Sequence, residues 1–369
     1  MSKKIGILTQ PLGHNYGGIL QAYALQEALR RMGHTVETID FRKESPHWRR
    51  VASVVKRVLL HRPLELPVRQ KDRKAFYAHT KHFIRQHIAL SPKLASETAV
   101  KEYCDKQSYD AIIVGSDQVW REAYSPHLPT FFLDFLPANS TTRRIAYAAS
   151  YGSRDPISPG MITHVRPFAQ RFDAISVREH SGIELTKKLF DVGATEVLDP
   201  TMLLSADDYK ALFAPLSDDL PGNMFVYVLD RTEEKDRIIR QEAEKRGLSP
   251  FELLPQGLRL PEDLFKSQRE PFELPPVELW LKSIAESDFV VTDSFHGTVF
   301  SILFGKPFLA IINQARGADR FYALQWAMEP ATEKNLSESL QVLRSKENRM
   351  AIPESLIAES LQFLERALS

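Results

Sequence analysis

The chain repeatedly sets short, β-branched apolar runs against helix-spaced patterns, and that alternation limits the fold more than any other feature of its 369 residues. Lys4 to Thr9 (KIGILT) reads as a buried strand, Gly17 to Met32 as a helix stopped by Gly33, and Thr35 to Asp40 as the next strand. Further strands are expected at Ala111 to Ser116, Arg144 to Ser150, Ala174 to Arg178 and Thr195 to Asp199, with helices at Pro159 to Arg171 and Glu179 to Leu189. The pattern restarts near Met224. Strands at Phe225 to Leu229, Phe289 to Thr292 and Phe308 to Ile312 then alternate with helices at Thr232 to Arg246 and Gly297 to Phe304. Apolar strands alternating with helices build mostly parallel sheets covered on both faces. The expected fold class is therefore α/β, with two Rossmann-like domains facing a cleft. The Pro-, Asp- and Gly-rich stretch Ala214 to Asn223 is the expected linker. It divides residues 1–213, which carry a basic helical insert at 42–106, from residues 214–369. The amphipathic last helix, Pro353 to Leu368, is expected to pack back on the N-terminal domain.

Composition narrows the class further. Apolar residues make up 43% and charged residues 26%, the balance of a globular chain with a real core. The longest nearly apolar run, Val299 to Ile312, is interrupted by Gly305, Lys306 and Pro307 and is too short to span a bilayer. The start, MSKKIGILTQ, lacks the apolar core and cleavage site of a signal peptide, and the single Cys104 excludes an internal disulfide and a cysteine metal cluster. A cytoplasmic location is expected on these grounds. A net charge of +1 gives no reason to expect nucleic acid. One stretch departs from this balance: Arg42 to Lys74 holds eleven Lys or Arg against Glu44, Glu65 and Asp72. Within it, residues 47–61 set Trp48, Val51, Val54, Val55, Val58 and Leu59 opposite Arg49, Arg50, Lys56 and Arg57. Such a helix either docks on its domain with a solvated basic face or lies on the anionic inner face of a membrane.

Open α/β sheets bind ligands beyond the carboxyl ends of their strands, where helix N-termini offer N–H groups to anions. Four segments fall at such ends. Gly13 to Gly18 (GHNYGG) contains Asn15, Tyr16 and Gly17; it fits a ligand turn or a plain helix cap, and it is not GxGxxG. Gly115 to Trp120 (GSDQVW) releases Asp117 and Gln118 from a buried strand, for function or for capping. Arg178 leaves its strand just before Glu179, suited either to a bidentate contact with carboxylate or phosphate or to a salt bridge with Glu179 or another neighbouring acid. Val291 to Thr298 (VTDSFHGT) brings Ser294, His296 and Gly297 to a strand-to-helix switch, where the dipole favours an anion and His296 can pass a proton near neutral pH. Lys306, Arg316 and Arg320 add positive charge after the next strand. No DxD, GxxxxGK[ST], HExxH or GxSxG occurs, which disfavours metal-clamped nucleotide diphosphates, phosphate-loop hydrolysis, zinc proteolysis and α/β-hydrolase chemistry.

At these residues the chain resembles the polysaccharide pyruvyl transferase family. The matching pieces, in family order, are NYGGILQAYALQ from Asn15, IVGSDQVW from Ile113, IAYAASYG from Ile145, ISVREHSG from Ile175, VLDPTMLL from Val197 and VVTDSFHGTVFSILFGKPF from Val290. The resemblance implies a fold similar to the GT-B glycosyltransferases, with the active site between the domains. It implies transfer of the enolpyruvyl group of phosphoenolpyruvate to two sugar hydroxyls as a ketal, on a glycan or its lipid-linked precursor. It also implies that His296 serves as acid or phosphate ligand and that Arg178 meets the donor. Some family members carry a basic residue where this chain has Ser294, so a second positive contact is expected from Arg320 or Lys306. On this reading Ser294, Gly297, Lys306 and Arg320 complete the donor side, and Asn15, Tyr16, Gly17, Gln21 and Gln118 the acceptor side, with Asp117 a possible base. Neither metal nor organic cofactor is required. The alternatives are a metal-independent glycosyltransferase using a nucleotide sugar on the same fold, and a non-catalytic glycan binder.

Overall fold

The computed structural model describes residues 1–43, 74–153, 155–217, 219–254, 273–312, 318–330, 340–346 and 351–369. Residues 47–61, and with them the expectation of a membrane-facing helix, lie outside the described residues.

Two six-stranded sheets organise the chain. The first comprises β1 (Lys4–Leu8), β2 (Thr35–Thr38), β3 (Ala111–Val114), β4 (Arg143–Ala149), β5 (Ala174–Val177) and β6 (Thr195–Glu196), in the order β2-β1-β3-β4-β5-β6 and all parallel. Its central strands are apolar on both faces: Ile5, Ile7, Ile112, Ile113 and Val114 are fully buried, as continuous β-branched runs dictate. The second comprises β7 (Met224–Tyr227), β8 (Pro250–Phe251), β9 (Phe289–Thr292), β10 (Phe308–Ile311), β11 (Met328–Pro330) and β12 (Val342–Ser345), in the order β11-β12-β10-β9-β7-β8. Its β7, β8, β9 and β10 are parallel, while β12 pairs antiparallel with both β10 and β11. The strands expected from the pattern are present within one or two residues, except that the one expected over Thr195 to Asp199 ends three residues early, at Glu196. β8, β11 and β12 are additional to the expected strands: β8 and β11 are short edge strands, and β12 (VLRS) has only two apolar residues before Arg344 and Ser345.

Helices α1 (Tyr16–Arg31) and α2 (Ala78–His87) and the segment after β6, with Leu198, Met202 and Leu204, bring the first sheet to the second. One apolar cluster joins Leu12, Ile19 and Leu20 of the first half to Phe225, Trp280 and Phe300 of the second. Burying a side chain of that size contributes about 1.5–3 kcal/mol, so the halves are held by a shared core as well as by the chain. The final helix, α3 (Glu354–Leu368), returns to the first sheet: Phe363, Leu364, Ala367 and Leu368 pack with Ile5, Leu25, Ala28 and Tyr147, and Ser360 Oγ accepts from Leu198 N at 3.0 Å. Parallel strands present all their carboxyl ends on one side of each sheet. The loops after β3, β5, β6 and β9 meet there. No helix among the described residues is long and apolar enough to cross a membrane.

Candidate active site between the two sheets

β3 runs into Gly115, held at φ 123°, where an added Cβ would collide with the Tyr147 carbonyl oxygen. Only glycine allows that turn. It delivers Asp117, itself in the left-handed region at φ 70°, above β5, where Arg178 is the first residue beyond the strand. Arg178 is buried and paired twice: Nη2 donates to Asp117 Oδ1 at 3.0 Å and Nη1 to Asp199 Oδ2 at 2.7 Å. The expected contact with Glu179 is looser, with Nε 3.9 Å from Oε2.

Asp199, absent from the expected site residues, is its hub. It is fully buried after β6, and its Oδ1 accepts from Thr201 N at 3.0 Å and Thr201 Oγ1 at 2.7 Å. Ser116 Oγ adds a contact to Oδ2 at 3.3 Å. Across the cleft, the helix α4 that opens at Phe295 (Phe295–Leu303) carries His296, whose Nε2 stands 3.7 Å from the same Asp199 Oδ2. That separation is an ion-pair distance and not a hydrogen bond. The imidazole fits because residue 17 is glycine: a Cβ there would overlap the ring. Two guanidinium groups stand over the Phe295 ring, with Arg178 Cζ 5.1 Å and Arg320 Cζ 5.4 Å from its centroid. Arg320 comes from the short helix Asp319–Tyr322 and is itself buried.

Two arginines and a histidine thus share one buried volume with three acids, and the electrostatics sort them. Burial alone would raise the Asp117 and Asp199 carboxyls, but Arg178 and His296 hold both below the usual range, helped at Asp117 by Arg320 and at Asp199 by the Thr201 hydrogen bond. Burial also opposes the charge on Arg178, yet the carboxylates of Asp117, Asp199 and Glu179 push its pKa up. Glu179 behaves oppositely: burial raises it, and Arg178 offsets that only in part. Arg320 is pushed down to about 10, by burial first and then by Arg178. Three polar atoms of the cluster, Arg178 Nε, Glu179 Oε2 and His296 Nε2, are buried without a hydrogen-bond partner. Leaving such atoms unmatched costs about 1–3 kcal/mol each, and here each stands at ion-pair distance from an opposite charge in the same cluster. Among the described residues no group of three or more His, Cys, Asp and Glu is arranged to hold a metal ion.

The structure brings Asp117, Arg178, His296 and Arg320 together and redistributes the other expected residues. Asp117, considered a base, is an ion-paired carboxylate of lowered pKa and therefore a weak one. Tyr16 is not open to an acceptor: its hydroxyl donates to Pro275 O at 2.8 Å and its ring packs 5.7 Å from Trp280 and 6.4 Å from Tyr227. Gln21 is fully buried, donating to Thr9 Oγ1 and Gly18 O and accepting from Ser116 N at 3.1 Å, so it supports the β3 turn. Gln118 accepts from Arg121 Nη1 at 2.9 Å and is nearly buried. Ser294 caps α4 by accepting from Gly297 N at 3.3 Å, and Gly297 is glycine because a Cβ would strike Thr292 Oγ1. Asn15 is exposed at the start of α1 without capping it. Lys306 is not part of the cluster. It follows the nine-residue helix α4 at the end away from His296, a helix length of about 13 Å. Asp293, in the same motif, is structural, accepting from Lys235 Nζ at 2.7 Å and from the N–H groups of Leu229 and Asp230.

A sequence profile described as Polysaccharide pyruvyl transferase matches residues 15–314. No curated protein matches the sequence. Among solved structures, a putative UDP-N-acetylglucosamine 2-epimerase from Listeria monocytogenes is similar over 100% of this chain and 90% of its own, at 11% identity and a TM-score of 0.50. UDP-GlcNAc 2-epimerase from Methanocaldococcus jannaschii is similar over 98% of this chain and 99% of its own, at 13% identity and a TM-score of 0.49. At such identities the Listeria likeness speaks to fold alone, and with the two sheets described above it identifies the architecture as GT-B-like.

Proposed function

The chain belongs to the polysaccharide pyruvyl transferase family, and from that footing we propose that this transferase moves the pyruvyl group of phosphoenolpyruvate onto two hydroxyls of one sugar, in a cell-surface polysaccharide or its lipid-linked precursor. The observation that carries the reading is the meeting of His296 from one half with Asp199 from the other, 3.7 Å apart and flanked by a guanidinium from each half. Phosphoenolpyruvate brings a phosphate and a carboxylate, the anions that guanidinium groups match best.

In the proposed reaction His296, as imidazolium, gives its Nε2 proton to the methylene carbon of the donor, and positive charge develops at C2. One sugar hydroxyl adds to C2, phosphate departs with the C2–O electron pair, and the second hydroxyl closes the ketal. Of the two hydroxyl protons released, one restores the imidazolium and the other leaves with phosphate, so no cofactor is consumed. Asp199 steadies the imidazolium, and Arg178 Nε and Arg320 face the donor. Glu179, whose pKa is raised by burial and whose Oε2 has no hydrogen-bond partner, is better suited than Asp117 to relay a hydroxyl proton. Donor groups thereby come mostly from the second half and acceptor groups from the first. Phosphoenolpyruvate as donor implies a reaction in the cytoplasm.

A thermal-shift titration tests this, since a ligand bound only by the folded state raises stability. Phosphoenolpyruvate should raise the Tm of the wild type and not of His296→Ala or Arg320→Ala. Stabilisation by uridine or guanosine diphosphate but not by phosphoenolpyruvate would overturn the reading in favour of a nucleotide-sugar glycosyltransferase.

A further inference from the structure

A line of contacts leads from the buried cluster to the protein surface. Asp117 Oδ1 accepts from Gln118 N at 2.9 Å, Gln118 Oε1 accepts from Arg121 Nη1 at 2.9 Å, and Arg121 Cζ lies 4.1 Å from the centroid of the Tyr124 ring. The segment that carries this pair is braced. Ser125 Oγ donates to Val119 O at 2.6 Å, Gln10 Nε2 to Gln118 O at 3.0 Å, and Glu122 N to Pro156 O at 2.9 Å. Gln10 belongs to the loop after β1 and Pro156 to the loop after β4, so Arg121 and Tyr124 stand over the carboxyl ends of β1, β3 and β4, the side on which the cluster lies. Tyr124 nevertheless keeps 47% of its surface exposed. Among the described residues the other large apolar side chains so exposed are Met1 and Tyr322, and the Tyr322 hydroxyl is bound to Gln341. A fixed aromatic ring left in solvent beside a fixed guanidinium is an arrangement for contact with a ligand that is apolar on one face and charged at one edge.

Resting on the pyruvyl-transfer reading, we propose that Arg121 and Tyr124 form the acceptor subsite, with Tyr124 offering its ring to the C–H face of a sugar and Arg121 its guanidinium to an anionic substituent on that sugar, a phosphate or a carboxylate. Gln118, expected to touch the acceptor itself, instead orients Arg121. The acceptor is then an acidic or phosphorylated sugar unit, and its hydroxyls reach inward toward Glu179 and His296.

Saturation-transfer NMR with N-acetylglucosamine 1-phosphate, glucuronic acid and neutral N-acetylglucosamine as probes tests the assignment. At least one anionic probe should bind more tightly than the neutral one; whichever binds identifies phosphate or carboxylate as the recognised group. Tyr124→Ala should weaken every probe that binds, and Arg121→Gln the anionic one alone, by about fivefold, the size of one exposed cation–π or charged contact. Arg121→Lys should restore part of the anionic preference. Binding that neither variant alters, equal binding of charged and neutral probes, or no saturation by any of them would overturn the proposal. Phosphoenolpyruvate stabilisation, measured in parallel, should be the same in both variants. Its absence, with the sugar results intact, would sink the donor reading and leave this subsite standing.

Discussion

Replacing Asp199 with asparagine removes one charge from the centre of the cluster without changing its shape. The carboxylate is fully buried and accepts from Arg178 Nη1 at 2.7 Å, Thr201 Oγ1 at 2.7 Å and Thr201 N at 3.0 Å. If the amide oxygen keeps both Thr201 bonds, its NH2 group faces Arg178 Nη1, donor against donor. Removing one partner of a buried ion pair costs about 3–5 kcal/mol. Asp117 still holds Nη2 at 3.0 Å, so the expected loss is at the low end, about 3 kcal/mol. The sign with pH follows from the lowered pKa of Asp199, where burial is outweighed by His296, Arg178 and Thr201. A carboxyl depressed in the folded state stabilises fully above its unfolded value, about 3.9, and the benefit fades as pH falls toward the lower folded value. Urea unfolding of wild type and Asp199→Asn should therefore differ by about 3 kcal/mol at pH 7, and the gap should narrow below about pH 4. A difference under about 1 kcal/mol at pH 7, the scale of an ordinary exposed pair, would refute the view of Asp199 as a buried hub.

Three further outcomes are expected. Gly17→Ala should abolish phosphoenolpyruvate stabilisation by displacing the His296 ring while costing about 1–3 kcal/mol of stability, as overpacking does; a normal thermal shift in that variant would separate His296 from the donor. Glu179 has a pKa raised chiefly by burial, so its ionisation costs stability as pH rises from the unfolded value, about 4.3, through the folded one. Glu179→Gln should remove that decline, and an unfolding free energy with the same pH slope as wild type just above the unfolded value, about 4.3, would contradict it. Tyr16→Phe should lose about 1 kcal/mol, the worth of its bond to Pro275 O, in chemical denaturation. It should leave binding of the sugar probes unchanged, whereas a selective loss of sugar binding would return Tyr16 to the acceptor side.

The architecture was legible because its causes are local. Runs such as AIIV and FVVT can only be strands buried on both faces, and the glycine-marked turns after them show where their carboxyl ends lie. That placed Asp117, Arg178 and His296 correctly at strand ends. Asp199 is not singled out by the sequence because it merely closes the expected strand Thr195 to Asp199; its partners lie 21 residues earlier and, across the cleft, 97 residues later. Its one local signal was the same as that of the others, a polar residue at the end of a short strand. Tyr16 differs from its expected place for the converse reason. An aromatic between Asn15 and two glycines looks like a ligand platform until Trp280 and Tyr227 from the other half cover it. Lys306 is ten residues from His296 in sequence, but those residues form a helix and carry it away from the cluster.

A crystal structure of the wild-type protein soaked in phosphoenolpyruvate addresses the donor site directly. The expected result is the phosphate and carboxylate lying between Arg178 Nε and the Arg320 guanidinium at about 2.7–3.1 Å, with the methylene carbon turned toward His296 Nε2. Phosphoenolpyruvate bound away from the imidazole, or a site that accepts a nucleotide diphosphate and excludes phosphoenolpyruvate, would contradict it.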